Sequence, residues 1–439
     1  MSGPLAGVSA DPPLRSGDEP AEASLIRNTI FSRYTNILLA FVPLGLAAGA
    51  FSQPAVAVFA LNFLAIVPLA PLITLSIDEL LSGVGHNFGK LMKPTSGNLV
   101  EMIVGITALA HGKPLVARSS LLGSILAYAL LFLGSNFFVA GYDKKEVTFE
   151  KTVTNTLSSW AMVVSFSLIV PTVVSVTSHR TDAHGRAPRD IQALSHAISI
   201  VLIITFVVYL KVRTWFLDTN ANRDHDATHE NCQRAPGANS RSRAGLRAAA
   251  FVLFCAMLSA ILCASHLIGS IDSLAKVLGT NETFISLVLI PPISYSARCF
   301  NTIALARGHR MDTVIRFIIH SILQLTTLLI PLMVLLGWLF KEPFSLDFGL
   351  FQATVFFTSI FTMSSITQHG KSNYFYGIML IGTYILVAVA FHIRPGVWEE
   401  FVLPGLDRRR IAHGLYSIES TTGEFGGFEF FKAAPTCSA

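Results

Sequence analysis

One acid and one amide stand three residues apart in an otherwise apolar stretch, Gly97-Asn98-Leu99-Val100-Glu101-Met102-Ile103-Val104. On a helix, Asn98 and Glu101 share a face, and Gly97 lets the backbone start irregularly or come close to a neighbour. Carboxylate, amide and carbonyl oxygens are hard ligands that suit Ca2+ at about 2.3–2.6 Å. A carboxylate withdrawn from water takes up a proton more readily than one in water. Glu101 could therefore bind the metal ion in one half of a cycle and a proton in the other. The plainer alternative is an acid near a helix end whose charge snorkels to the membrane interface. Acids inside spanning segments usually face a cavity or a partner, which makes Glu101 a functional candidate.

The elements that must position these residues are membrane helices. The chain has 439 residues, 52% apolar and only 13% charged, where a soluble domain carries roughly a quarter. Apolar runs recur at about the length needed to cross a bilayer as helices. About eleven spans are expected: 35–52, 55–82, 97–112, 117–140, 154–178 and 190–211, then 246–268, 281–306, 312–339, 347–368 and 373–393. The predicted class is all-α and polytopic: two inverted-topology five-helix repeats plus one extra N-terminal helix. Residues 1–33 read as a disordered N-terminal tail, 34–211 as the first membrane half and 212–245 as a polar loop. Residues 246–394 form the second half and 395–439 a C-terminal tail.

The net charge of +5 is small for this length. Basic residues sit mainly in loops, so they speak for loop orientation and not for nucleic-acid binding. Lys90, Lys93, Lys144, Lys145, Lys151, Lys211 and Arg213 place the N-terminus in the cytosol, with the His179–Arg189 loop as a counterweight. The five cysteines, Cys232, Cys255, Cys263, Cys299 and Cys437, have no paired spacing that would indicate a disulfide framework or a zinc site. No His-Glu-x-x-His, Gly-x-Ser-x-Gly or phosphate-cradling glycine loop appears, which gives a membrane enzyme little support. No cofactor is expected.

An internal echo links the halves. Leu121-Leu122-Gly123-Ser124-Ile125-Leu126 is repeated as Ile318-Ile319-His320-Ser321-Ile322-Leu323, and Ala108-Leu109-Ala110-His111-Gly112 as Ala304-Leu305-Ala306-Arg307-Gly308. An odd number of spans between copies inverts one against the other, and such repeats hold their substrate near the bilayer midplane.

Gly97-Asn98-x-x-Glu101 followed by Met-Ile-Val resembles the first-repeat signature of the cation/proton exchangers of the calcium/cation antiporter superfamily. The resemblance extends over roughly residues 30 to 393. It includes Leu61-Asn62-Phe63-Leu64-Ala65-Ile66-Val67-Pro68-Leu69-Ala70, Asn281-Glu282-Thr283-Phe284-Ile285 and Gly370-Lys371-Ser372-Asn373. It implies Ca2+ transport in exchange for H+, commonly at the vacuolar membrane, with Glu101, Asn98 and Gly97 holding the cation. It also matches Asp78 and Glu79 to an acidic pair that helps cations or protons reach the site; a solvated helix end would look the same. Ser124, Ser321 and Gln324 match polar positions close to the site, where they could ligate the cation or hydrogen-bond between helices.

The pattern breaks in the second half. Where a second Gly-Asn-x-x-Glu is expected, the chain has Ser294-Tyr295-Ser296-Ala297-Arg298. Arg298 takes the place of the glutamate, Tyr295 that of the asparagine and Ser294 that of the glycine, and His320 replaces a glycine in the next helix. In the first half, Arg118 and Tyr128 stand where glutamine and asparagine are usual. Two unit charges about 4 Å apart interact by roughly 4 kcal/mol at an effective dielectric near 20. Exchanging a glutamate for an arginine removes one attraction of that order and adds a repulsion. Two readings follow: a transporter of Ca2+ or a related cation, or an exchanger-like membrane protein without turnover, with Glu101 and Arg298 as a midplane ion pair.

Overall fold

The computed structural model describes residues 38–51, 53–83, 95–142, 146–178, 187–227, 243–308, 310–342 and 344–393. Both expected tails lie outside the described residues, as do the side chains of 213–227 and 293–298. Helix α1 (Phe41–Ala50) leads to α2 (Ala55–Gly83), and a single 3-10 turn, Thr95–Asn98, opens α3 (Leu99–Ala110). Next, α4 (Pro114–Leu126) and α5 (Leu133–Tyr142) form one rod through a π-helical turn at Ala127–Phe132. The half closes with α6 (Lys151–Ser178) and α7 (Ala187–Ala227).

The second half follows after the polar stretch. It has α8 (Arg243–Leu278), then the short α9 (Glu282–Phe284), a π-helical turn Ile285–Leu289 and α10 (Pro291–Arg307). The rod of α11 (Met311–Gln324) and α12 (Ile330–Phe340) is again interrupted by a π-helical turn, Leu325–Leu329, before α13 (Leu350–Gln368) and α14 (Tyr374–Ile393).

Among the described residues, eight helices are long and apolar enough to cross a membrane. Three expected spans are not among them. Those at 35–52 and 97–112 correspond to the shorter apolar helices Phe41–Ala50 and Ser96–Ala110. The one at 281–306 is broken at Pro291 and diluted by the polar run Ser294–Arg298. Helix α7 continues to Ala227 and α8 begins at Arg243, both inside the stretch 212–245 expected as a polar loop, and residues 228–242 lie outside the described residues. No Gly or Pro follows Pro188 until Pro236, so nothing in the first part of that stretch breaks a helix.

The core is built from pairs of helices drawn from the two halves. Helix α2 lies along α8, α6 along α13, α5 along α14 and α7 along α12, while α3 meets α8 and α2 meets α10. The two π-interrupted rods, Pro114–Tyr142 and Met311–Phe340, are the most deeply buried of the eight. Small residues set the closest approaches. A Cβ added at Gly377 on α14 would run into the backbone of Phe138 and Gly134 on α5, the close crossing that small residues permit between membrane helices. Asn62 ties α2 to α1 by donating to Gly45 O at 3.0 Å and Val58 O at 2.8 Å.

Two further ties sit at the ends of the bundle. A two-residue antiparallel pairing of Val147–Thr148 with Lys371–Ser372 is the small departure from an all-α chain. The loop between α12 and α13 is pinned to the first half. Arg118 donates to Asp347 O, Ser175 Oγ donates to Asp347 Oδ2 at 2.7 Å, and Leu346 N donates to Ser195 Oγ at 3.1 Å.

Candidate cation site

Asn98 ends the 3-10 turn and precedes α3, at a position where an asparagine usually caps the helix with its own side chain. Here it makes no such cap bond. Its amide reaches across to the second half instead, donating to Gln324 Oε1 at 2.9 Å and to Ser321 O at 3.3 Å. The Tyr128 hydroxyl, in the π-helical turn after α4, donates to Asn98 Oδ1 at 3.4 Å. Asn98 is 1% exposed, which places this cluster in the interior.

Glu101 sits in the first turn of α3, also buried. It follows Asn98 by three residues on a helix that starts at Leu99, so carboxylate and amide lie on one side. The uncapped backbone N–H groups of that first turn carry partial positive charge, which favours an anionic side chain there. Gly97 is half-buried within the 3-10 turn.

Ser124 and Ser321 are both buried, each within four residues of a π-helical turn. Gln324 is the last residue of α11 and is 1% exposed. π-Helical turns interrupt the regular backbone hydrogen bonding and recur at functional sites. Gly123 explains how the first rod comes near the second half. A Cβ there would run into the carbonyl of Leu287 in the Ile285–Leu289 turn, so only glycine allows this approach.

His320 lies on α11 one turn before Gln324. Its ring contacts Gln324 Nε2 at 3.2 Å through Nε2 and the Tyr209 hydroxyl of α7 through Nδ1. The Tyr209 ring lies 5.5 Å from that of His320 and 5.5 Å from that of Trp160. Asp78 and Glu79 are half-buried near the end of α2, a helix that packs against the Thr95–Asn98 turn.

The structure thus brings Asn98, Ser321, Gln324, Tyr128 and His320 into one hydrogen-bonded cluster, beside a buried Glu101. The side chains of Ser294, Tyr295 and Arg298 lie outside the described residues, and with them the expected Glu101–Arg298 pair. Their backbone belongs to α10, which packs against both α3 and α11. Sequence reasoning missed Tyr209, an aromatic in a helix of unremarkable apolar pattern, and it did not connect Tyr128 with Asn98. Among the described residues, no group of three or more His, Cys, Asp or Glu side chains could hold a metal ion. The cluster holds amide, hydroxyl and carbonyl oxygens, and Glu101 follows Asn98 by three residues; such oxygens are hard donors of the kind that suit Ca2+.

A sequence profile described as sodium/calcium exchanger protein matches residues 54–215 and 248–392. A "Vacuolar calcium ion transporter" of Schizosaccharomyces pombe is 30% identical over 371 residues, covering 84% of this chain and 87% of that protein. A "Vacuolar cation/proton exchanger 2" of Arabidopsis thaliana is 28% identical over 372 residues, 84% of this chain and 83% of its own length. Among solved structures, that of native YfkE is 26% identical with a TM-score of 0.63, covering 82% of this chain and all of that one (100%). An H+/Ca2+ exchanger, CAX, at 16% identity and a TM-score of 0.58, shares the fold over 88% of this chain and 92% of its own.

Proposed function

This chain belongs to the sodium/calcium exchanger protein family, and from that membership we propose that it moves Ca2+ across an internal membrane in exchange for protons. The membrane of residence in this reading is that of the vacuole, by analogy with the yeast and plant relatives. One observation carries the assignment to this particular site. The amide of Asn98 in the first half bonds Gln324 in the second, 226 residues away, beside the buried carboxylate of Glu101. Two halves that meet at a polar, oxygen-rich junction form the kind of site around which alternating access is organised.

The finer architecture, two inverted five-helix repeats behind an extra α1, is part of the same proposal. It is supported by reciprocal packing. The contact of α2 with α10 is matched by that of α8 with α3, and the contact of α5 with α14 by that of α12 with α7. In the cycle, Glu101 is the group that trades a proton for the cation. Asn98, with Gly97 shaping its turn, presents an oxygen next to it. Ser124, Ser321 and Gln324 supply further oxygens or hold the helices in register. Asp78 and Glu79 line the approach from the end of α2.

The reading without turnover rests on Arg298 alone, and the relatives described above, named as transporters and exchangers, give it no support. The test is proton-gradient-driven 45Ca2+ uptake into vesicles carrying the protein, with Glu101→Gln and Arg298→Glu alongside. Uptake above empty vesicles that disappears in Glu101→Gln establishes exchange with Arg298 in place. No uptake by the natural sequence, with restoration in Arg298→Glu, establishes a folded exchanger whose site is switched off.

A further inference from the structure

Helix α12 turns one face away from the bundle. Leu332, Leu335, Leu336 and Leu339 follow one another at spacings of three, one and three residues, which puts them in a single stripe along the helix. The groove that this stripe lines also takes in Trp338 and Lys341. Trp338 is 66% exposed and Leu339 73%, while Ile330, Met333, Val334 and Gly337 on the other face are buried. The Trp338 ring stands 5.2 Å from that of His196 on α7, so a second helix holds the edge of the groove.

Such a face needs no protein partner, because the solvent around a spanning helix is the bilayer. From Leu332 to Lys341 the chain rises by about 14 Å, close to half of the roughly 30 Å of hydrocarbon that a span crosses. The groove thus has the depth of one leaflet. Trp338 and Lys341 close it at the level where aromatic rings and long basic side chains meet lipid headgroups. Lys341 carries two further marks. Its backbone is left-handed, with φ 60° and ψ 23°, and among the described residues no other non-glycine residue has a positive φ. A helix end of this shape is ordinarily made by glycine. Its ammonium also has no counter-charge among the described residues, where the ion pairs are Lys113–Asp272, Arg316–Glu150 and Lys371–Glu146. The neighbouring acid, Glu342, turns its carboxylate toward the turn between α3 and α4. A Cβ built at Gly112 would lie 3.8 Å from Glu342 Oε1.

We propose that this groove is a binding site for one phospholipid with an anionic headgroup, its phosphate on the Lys341 ammonium and an acyl chain along Leu332, Leu335, Leu336 and Leu339. Binding makes and breaks no covalent bond. It joins burial of apolar surface to one charge-assisted contact. A zwitterionic lipid fills the stripe equally well, but its headgroup brings a cation of its own. An anionic headgroup leaves the lysine as its counter-charge, so charge complementarity selects the lipid. The site stands apart from the exchange reading and does not depend on it. It lies on the rod that also carries Gln324 and the Leu325–Leu329 turn, so a lipid seated there rests on an element that reaches the candidate cation site.

Trp338 supplies the probe. The purified full-length protein is placed in bilayers of phosphatidylcholine. Part of that lipid is replaced by phosphatidylserine or by phosphatidylcholine brominated on the acyl chains, which quenches indole fluorescence on contact. The Trp338 signal is the difference between the natural sequence and Trp338→Phe. At equal content, brominated phosphatidylserine is expected to occupy the groove about fivefold more readily than brominated phosphatidylcholine, the preference that one lysine gives near an anionic surface. The preference should fall as salt is raised, disappear in Lys341→Gln and persist in Lys341→Arg. Lys341→Gly removes the ammonium while relaxing the left-handed backbone, so loss of preference in that variant reports the charge and not a damaged helix end. Equal quenching by the two lipids overturns the site and leaves the stripe as ordinary lipid-covered surface. A preference that survives in both Lys341→Gln and Lys341→Gly overturns it as well. Neither result bears on Ca2+ exchange.

Discussion

At Asn98 the structure sets a side chain to a task other than the local one. An asparagine at a helix start ordinarily satisfies the backbone N–H groups behind it, yet this one turns outward to Gln324 and Ser321. Asn98→Ala removes both those bonds and the amide oxygen, and leaves Gln324 Oε1 without the donor it now has from Asn98. The expected result is a rise in KM for Ca2+ of about tenfold or more, from loss of a ligand and of two hydrogen bonds each worth about 0.5–1.5 kcal/mol net. An unchanged KM in the uptake assay would remove Asn98 from the site. Asn98 and Glu101 were legible in the sequence because polar residues at helical spacing are conspicuous among apolar ones. Tyr209 was not, since an aromatic in an apolar helix gives no sign of which way its hydroxyl points. Only the packing of α7 near α11 turns it into a partner of His320.

At the scale of elements, the two π-interrupted rods decide where the site can be. Their turns at Ala127–Phe132 and Leu325–Leu329 directly follow the segments that carry Ser124 and Gln324. Gly123 sets the spacing of the first rod against the Ile285–Leu289 turn. Gly123→Ala is expected to destabilise the folded protein by about 1–3 kcal/mol, the usual range for overpacking a close contact, and to lower transport with it. A melting temperature in detergent equal to that of the natural sequence would contradict this role. Hydropathy located most rods to within a few residues, because a bilayer demands long apolar runs. It could not reveal the π-helical turns, which continue the same apolar pattern. It also ended α7 too early, since hydropathy marks where a helix leaves the bilayer and not where the helix stops. The pinned loop between α12 and α13 was equally hidden. Its ties to Arg118, Ser175 and Ser195 join segments remote in sequence, with no local signature.

At the scale of the whole molecule, the proposed exchange requires that the two fluxes be coupled through one site. In the proposed architecture the sequence echo brings equivalent helices together near the middle of the bilayer, and the bond from Asn98 to Gln324 links the first half of the chain to the second. With Arg298 where the family resemblance leads one to expect an acid, Glu101 is the buried carboxylate of the proposed site, so coupling should depend on that one side chain. The most direct measurement is the reverse of driven uptake: proteoliposomes without an imposed pH gradient, a pH-sensitive dye inside, and Ca2+ added to the outside. The account predicts that Ca2+ influx down its gradient drives protons out and raises the internal pH, and that Glu101→Gln abolishes both movements together. Ca2+ influx that leaves the internal pH unchanged, or proton movement that survives in Glu101→Gln, would contradict it.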